Sequence, residues 1–423
     1  MHRKKYLFLP FTGLLMFFSL YTKAQAEKEI APPKHIKSIV FKSNSDNQGD
    51  QFPLIMLGDT FTLSFDDLNA REDDYYYKIV HCNFDWTPSD LLKSQYLDGM
   101  DNQRIQDYRN SVTTLQPYSH YDLTLPNSRT RLKLSGNYIL KIYDKRDNLL
   151  FSRRFVVYKD RVSVGVVLKR AREMSVIREK QVVQFTINSN NLSLVNPQQE
   201  VKVAILQNHN WNTAITGIKP QFYSGNQLIY KYDKETAFDG GNEYHYFDNK
   251  EIRASSSTIA RAELLDIYNT YLFTNTVQKD VPYTYYPDIN GDFQIRTLDG
   301  NARDNDTEAD YADVHFSLKY TQETGLNDVY VYGKFNNYQL TDENKMTLDE
   351  NSGTLQATIR LKQGFYNYKY VMVTPRETDY TTINGNYFET ENNYLVLVYY
   401  RNFGDLYDSV IGIGSASSVD ISN

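Results

Sequence analysis

Apolar and polar residues alternate with a period of two along most of this chain, and that periodicity commits it to strands with one buried face. In residues 138–143 (YILKIY), Tyr138, Leu140 and Ile142 share a face. In residues 314–320 (VHFSLKY), Val314, Phe316, Leu318 and Tyr320 oppose His315, Ser317 and Lys319, and further on Leu355, Ala357, Ile359 and Leu361 alternate with Gln356, Thr358 and Arg360. Helical periodicity is confined to short turns near residues 89–92 and 102–108 and to residues 258–268 (TIARAELLDIY), which read equally well as extended chain. Many short strands separated by turn residues predict an all-β protein built of tandem immunoglobulin-like β-sandwich domains.

Residues 1–26 have the form of a secretory signal peptide: His2, Arg3, Lys4 and Lys5, an apolar stretch over residues 6–21, then small residues at Ala24 and Ala26. Cleavage is expected between Ala26 and Glu27. The stretch contains Pro10, Thr12 and Gly13 and falls short of the about 20 residues of a spanning helix. The mature chain divides by composition into a first sandwich over 27–160, a middle β domain over 161–299, an acidic linker over 300–313 (GNARDNDTEADYAD), a third domain over 314–412 and a polar tail over 413–423 that is expected to lack order. Asp160 and Arg161 read as a short hinge.

The formal net charge is −6, and removal of residues 1–26 takes away Arg3, Lys4, Lys5 and Lys23 with no acid, leaving −10. An acidic protein is a poor ligand for nucleic acid or for an anionic membrane surface. Cys82, the single cysteine, allows no internal disulfide, so stability must come from burial. Beyond residue 26 no apolar run approaches the length of a spanning helix, and the alternating runs break before the roughly 9 to 11 residues of a barrel strand. Direct membrane insertion is not expected.

Catalytic patterns are missing from the sequence: it has no G-x-S-x-G, H-E-x-x-H, P-loop or paired-cysteine motif. His81, Cys82 and Asp85 lie close in sequence, but neighbours on a strand point to opposite faces, so a core cysteine and a hydrogen-bonded histidine are expected. Asp288, Asn290 and Asp292 (DINGD) imitate the start of a calcium loop, yet Gly291 is misplaced and the twelfth position is Asp299 instead of Glu, so a hairpin turn at Asn290-Gly291 is expected. His120 and His245 sit among tyrosines as structural histidines. No enzymatic activity, cofactor, metal or small-molecule substrate is expected.

Three blocks carry a family resemblance. Residues 77–127 include IVHCNFDW (79–86), YLDG (96–99) and YSHYDLTLPN (118–127), residues 240–253 read GGNEYHYFDNKEIR, and residues 383–401 read INGNYFETENNYLVLVYYR. In these the chain resembles the plug protein family of the type IX secretion system. The resemblance implies a periplasmic protein, peripheral to the inner face of the outer membrane, that seals the periplasmic opening of a large outer-membrane β-barrel translocon. A weaker likeness lies in VYVYGKFNNY (329–338) and LKQGFYNYKYVMV (361–373), which resemble immunoglobulin-like modules related to glycogen-binding domains. There Tyr338 occupies the position of a sugar-stacking Trp, so the alternative function is a periplasmic or surface carbohydrate-binding protein. Tyrosine is the compositional outlier, with 36 residues against 2 Trp. Because Tyr buries area while its hydroxyl keeps a hydrogen bond, the cluster Tyr283, Tyr285 and Tyr286 joins Tyr338 as a candidate contact for a partner or a glycan.

Overall fold

The computed structural model describes residues 25–45, 51–189, 192–298 and 302–421, so the expected signal peptide, apart from Gln25 and Ala26, lies outside the described residues. Within them the alternating runs become strands that close three β-sandwiches. In the first, a sheet in the order Ile36–Ser43, Phe61–Asp67, Ser119–Leu125, Asp107–Asn110 faces strands Tyr75–Cys82, Gly136–Asp144 and Leu149–Tyr158. Phe61, Leu63 and Phe65 stand opposite Leu125, Leu123 and Tyr121 in register, and their shared face packs on Tyr75, Ile79, Leu140, Ile142 and Phe155. The residues read as turns near 102–108 are short strands, Gln103–Arg104 and Asp107–Asn110, and residues 258–268 are extended; the single helical turn in that part of the first sandwich is Lys93–Tyr96.

The second sandwich is not the continuous segment 161–299 that composition suggested. One wall holds Ser163–Arg170, Lys180–Asn188, Gln227–Tyr230 and Phe222–Ser224, with Ala237–Asp239 paired to the second of these. The other wall pairs Val201–Gln207 and Asn210–Thr216 with Asn393–Tyr400 and Ser409–Ser417 from the end of the chain. Its core joins Val183, Phe185, Ile187, Val203 and Ile205 to Tyr394, Val396 and Val398. The third sandwich is inserted between these parts, and its core runs from Phe247, Ile259 and Leu272 to Ile383, across the boundary expected at 313 and 314. Alternation says that a strand has an apolar face; it does not say which wall that face will find.

The tail expected over 413–423 is likewise structured as far as it is described. Residues through Ser417 complete the last strand, and the Ser418 hydroxyl accepts from Asn392 N at 2.8 Å and donates to Thr390 O at 2.7 Å. Arg161, expected in a hinge, donates its N–H to Ile411 O at 2.8 Å. Gly412 permits this docking, because a Cβ there would stand 2.7 Å from Val162 O.

The first and second sandwiches share one nine-stranded sheet. Its two halves meet at Leu149–Tyr158 and Ser409–Ser417, where Tyr158 pairs in parallel with Val410. The faces turned away from the two cores close on each other: Phe52, Cys82, Trp86, Ile139 and Val156 from one half pack with Ala204, Leu206, Leu395, Leu397 and Tyr399 from the other. Strand Asn393–Tyr400 is therefore apolar on both faces, which is why LVLVYY reads as a continuous run instead of an alternation. Trp86 is buried in this seam, edge-on to Trp211 at 5.0 Å and under the Arg154 guanidinium at 4.3 Å.

The acidic segment expected as a linker is a clasp. Residues 300–301 lie outside the described residues; after them a short helix, Ala302–Glu308, leads into strand Tyr311–Lys319. Asp310 accepts from Leu115 N at 2.7 Å and Gln116 N at 3.2 Å, Asp306 pairs with Arg109 at 3.1 Å, and Tyr118 donates to Ala309 O at 2.8 Å. The composition is that of a linker, but these acids satisfy donors of the first sandwich. Behind them lies a buried ionic group. Asp66 Oδ2 accepts from Lys362 Nζ at 2.8 Å and Tyr311 OH at 2.6 Å, while Asp66 Oδ1 stands 2.6 Å from His120 Nδ1. Burial works to raise the Asp66 carboxyl, and Lys362 with His120 overcomes it, holding the group below its ordinary value. Burial also pulls Lys362 down against Asp66, but two oxygen acceptors at 2.8 Å and the Tyr118 ring at 4.1 Å are the surroundings of an ammonium. For His120, burial opposes the charge and loses to Asp122 and Asp66, which lift it to about 9. Its Nε2 lies 3.3 Å from Asp122 Oδ1, an ion-pair contact without hydrogen-bond alignment.

Candidate interaction surface

Between strands Tyr268–Leu272 and Phe293–Ile295 the chain runs for residues 273–292 without joining a sheet, apart from a bridge at Asn275. Pro282 and Pro287 explain part of this, since neither can donate to a ladder. The segment is nonetheless fixed along its length. Asn275 exchanges backbone bonds with Ser317 and Lys319, both at 2.9 Å, and its side-chain oxygen accepts from Tyr368 OH at 2.9 Å and Tyr370 OH at 2.8 Å. Tyr387 OH donates to Gln278 O at 3.0 Å and also to Val281 O. Tyr283 OH donates to Glu243 Oε1 at 2.5 Å, and Tyr285 OH donates to Glu391 Oε2 at 3.1 Å. At the far end Asn367 Oδ1 accepts from Ile289 N at 2.7 Å, and Asp288 accepts from Tyr244 N at 2.5 Å. Burial holds both the Glu243 and the Asp288 carboxyls above their ordinary values despite these donors.

What this scaffold presents outward is apolar and aromatic: Val281, Tyr285 at 55%, Tyr286 at 49% and Ile289 are exposed. A ring tethered through its hydroxyl, as Tyr285 is to Glu391, has less side-chain entropy to lose on contact. The structure thus brings Tyr285 and Tyr286 together at the surface and turns the half-buried Tyr283 inward as an anchor. Val281 and Ile289, and the holders Glu243, Tyr387 and Glu391, were not read from the sequence. The two prolines bracketing a tyrosine run were the signal for a loop outside the sheets.

Tyr338 is elsewhere. It is 5% exposed, its ring lies 5.1 Å from Tyr332, and its carbonyl accepts from Asn212 Nδ2 at 2.9 Å, so it offers no free face for stacking on a sugar. Asn337 and Tyr338 both adopt positive φ, at 53° and 55°, and turn the chain after the short helix Lys334–Asn336. His81 is hydrogen-bonded to Ser89 Oγ at 2.9 Å, with burial lowering its pKa to about 4, and burial pushes the Cys82 thiol up to about 12. Asp85 caps Thr87 at 2.6 Å. His245 is lowered by burial to about 4. Asn290 and Gly291 form a turn with φ 53° and 86°, closed by Asp292 N on Ile289 O at 3.1 Å. It is not a hairpin, because Phe293–Ile295 pairs with Gly364–Val373 instead of the preceding strand. Among the described residues no group of three or more His, Cys, Asp or Glu could hold a metal ion, and no helix is long and apolar enough to cross a membrane.

Three interlocked sandwiches with an exposed aromatic edge define an all-β protein. Residues 36–159 match the family model for the type 9 secretion system plug protein 1st domain, and the chain belongs to that plug family, whose domain is of a non-enzymatic kind associated with the secretion system. The crystal structure of a hypothetical protein from Parabacteroides merdae is similar over 93% of this chain and 100% of that one, at 31% identity and a TM-score of 0.87. A biofilm associated protein's BSP domain shares 8% identity with the chain at a TM-score of 0.18, too low for a common fold. No curated protein matches the chain.

Proposed function

We propose that this protein is the non-catalytic plug that covers the periplasmic mouth of the type IX secretion translocon, a large outer-membrane β-barrel, from the inner face of the outer membrane. The observation that carries the reading, beside family membership, is mechanical. The first sandwich is fused to the second through one sheet and clasped to the third through buried ions, so the three form a single rigid obstruction. A channel wide enough for folded proteins needs such a body when no substrate occupies it. The exposed edge around Tyr285 and Tyr286 supplies the contact. A modest, partly polar interface suits a plug that must come away, because reversible contacts resemble ordinary surface more than core.

The test is a deletion. Loss of the plug should make the outer membrane permeable to molecules that it normally excludes, and the leak should vanish when the barrel is deleted too. Tyr285→Ala with Tyr286→Ala should reduce co-purification with the barrel at least tenfold while leaving the melting temperature unchanged. An intact permeability barrier in the deletion strain would overturn the sealing role. Undiminished co-purification of the double variant would overturn only the docking edge.

A further inference from the structure

Between the first and third sandwiches, beneath the segment Ala31-Pro32-Pro33, lies a cavity of about 310 Å³. Its wall is mostly apolar: Ile36 from the first sandwich, and Phe293, Phe335, Ile359, Leu361 and Tyr366 from the third. Into this wall comes Arg153. On strand Leu149–Tyr158 it alternates onto the same face as Phe151 and Phe155, so the pleat aims its side chain toward the core instead of solvent, and it is 8% exposed.

This guanidinium is underused. Nη1 donates to the carbonyl of the neighbouring Ser152 at 2.9 Å, and the Phe151 ring lies 5.4 Å away. Burial pulls its pKa down to about 10 and the charge of Glu29 acts against that from beyond ion-pair distance, while among the described residues its only hydrogen bond is the one to Ser152. Of the other cations lining the cavity, Lys37 pairs with Glu343, Arg360 forks onto Asp313 through two bonds of 2.9 Å, and Lys34 is exposed to solvent. A buried guanidinium with five N–H groups, one carbonyl partner and only the unpaired charge of Glu29 near it has donors to spare for an anion. The apolar lining beside it asks for a tail on that anion.

We propose that the cavity binds a linear acyl carboxylate, its two oxygens forked on Nε and Nη2 of Arg153 and its chain lying against Ile36, Phe293, Ile359 and Leu361. The volume sets the length. It is about ten times the roughly 30 Å³ share of one water, and a methylene is of similar size, so chains of about eight to ten carbons fit. Such a ligand joins the first sandwich to the third at a second point, away from the Asp66 clasp.

Isothermal titration of the purified full chain, below micelle formation, uses octanoate, decanoate and decanol as probes. Decanoate should bind saturably at one site per chain and about 15-fold more tightly than octanoate, since each buried methylene contributes about fourfold. Decanol, which has the tail without the charge, should bind at least tenfold more weakly. Arg153→Gln should weaken decanoate at least tenfold and leave decanol unchanged, and Leu361→Trp, which fills the cavity, should abolish both. No saturable binding to the unaltered protein, equal binding of decanoate and decanol, or decanoate binding that survives Arg153→Gln or Leu361→Trp would overturn the proposal. If Arg153→Gln fails to fold, the comparison of acid with alcohol on the unaltered protein decides.

Discussion

Lys362→Met removes the ammonium at the centre of the buried clasp and keeps most of the side-chain volume. Nζ stands 2.8 Å from Asp66 Oδ2 and 2.8 Å from Asp306 O, with the Tyr118 ring at 4.1 Å, so the change deletes an ion pair, a backbone bond and a cation–π contact together. Asp66, fully buried, is left with His120 and Tyr311, each at 2.6 Å. Breaking one side of a buried pair costs about 3 to 5 kcal/mol, chiefly because the remaining charge stays desolvated. The two surviving partners place the cost near the lower end, about 3 kcal/mol. Urea unfolding of the full chain measures it, with limited proteolysis over residues 302–310 as the local readout, because a chain of three sandwiches need not unfold in one step. The double variant Lys362→Met with Asp66→Asn removes both charges and should regain at least about 1 kcal/mol of the loss. A single variant within about 0.5 kcal/mol of the parent, with unchanged cleavage, would refute the view that these ions hold the third sandwich to the first.

Other outcomes follow from the same contacts. His120 is raised from 6.5 to about 9 in the folded protein, so its contribution is complete below pH 6.5 and is lost as pH rises through about 9. The loss should be on the order of 3 kcal/mol, and His120→Gln should flatten stability across that window; an unchanged slope would discard the assignment. Trp86→Ala should destabilise by about 3 to 5 kcal/mol, read by thermal melting, and should weaken partner binding only through unfolding. A variant that melts normally yet loses the barrel would make Trp86 a contact residue instead. N-terminal sequencing of the exported protein should begin at Glu27, whose amide donates to Trp86 O at 2.8 Å; a protein that keeps residues 1–26 and needs detergent would contradict processing there.

How much of this was legible depended on how local the physics is. Strands such as Tyr311–Lys319 and Thr354–Lys362 were visible because each alternates against one core, as Val314, Phe316 and Leu318 do. The pairing of Val201–Gln207 with Asn393–Tyr400 was not, because partner choice at that separation depends on which apolar faces remain open after everything between them has folded. The acids over 300–313 misled for a related reason: Asp306 and Asp310 look like linker residues until Arg109 and the amides of Leu115 and Gln116 are brought to them by another sandwich. His120 was read as a structural histidine, and its charge could not be foreseen, since Asp66 and Asp122 are 54 and 2 positions away. Of the candidate surface, the tyrosine run at Tyr283, Tyr285 and Tyr286 is visible in the sequence. Burial alone separated Tyr285 and Tyr286, which face outward, from Tyr338, which is enclosed.

The parallel contact between Tyr158 and Val410 makes completion of the first sandwich's sheet depend on residues about 250 positions further along the chain. Until the final strand arrives, the edge at Tyr158, Lys159 and Arg161 has no partner for the bonds it gives to Val410 and Ile411, and the seam around Trp86 and Tyr399 cannot close. Contacts of such long separation form slowly, because the intervening loop must close before they contribute. A chain in which strand Ser409–Ser417 has not yet docked is therefore kept loose by its own topology. A chain ended at residue 408 should stay protease-sensitive throughout the first two sandwiches, and a first sandwich that resists protease in that truncation would show that the lock is not at the terminus.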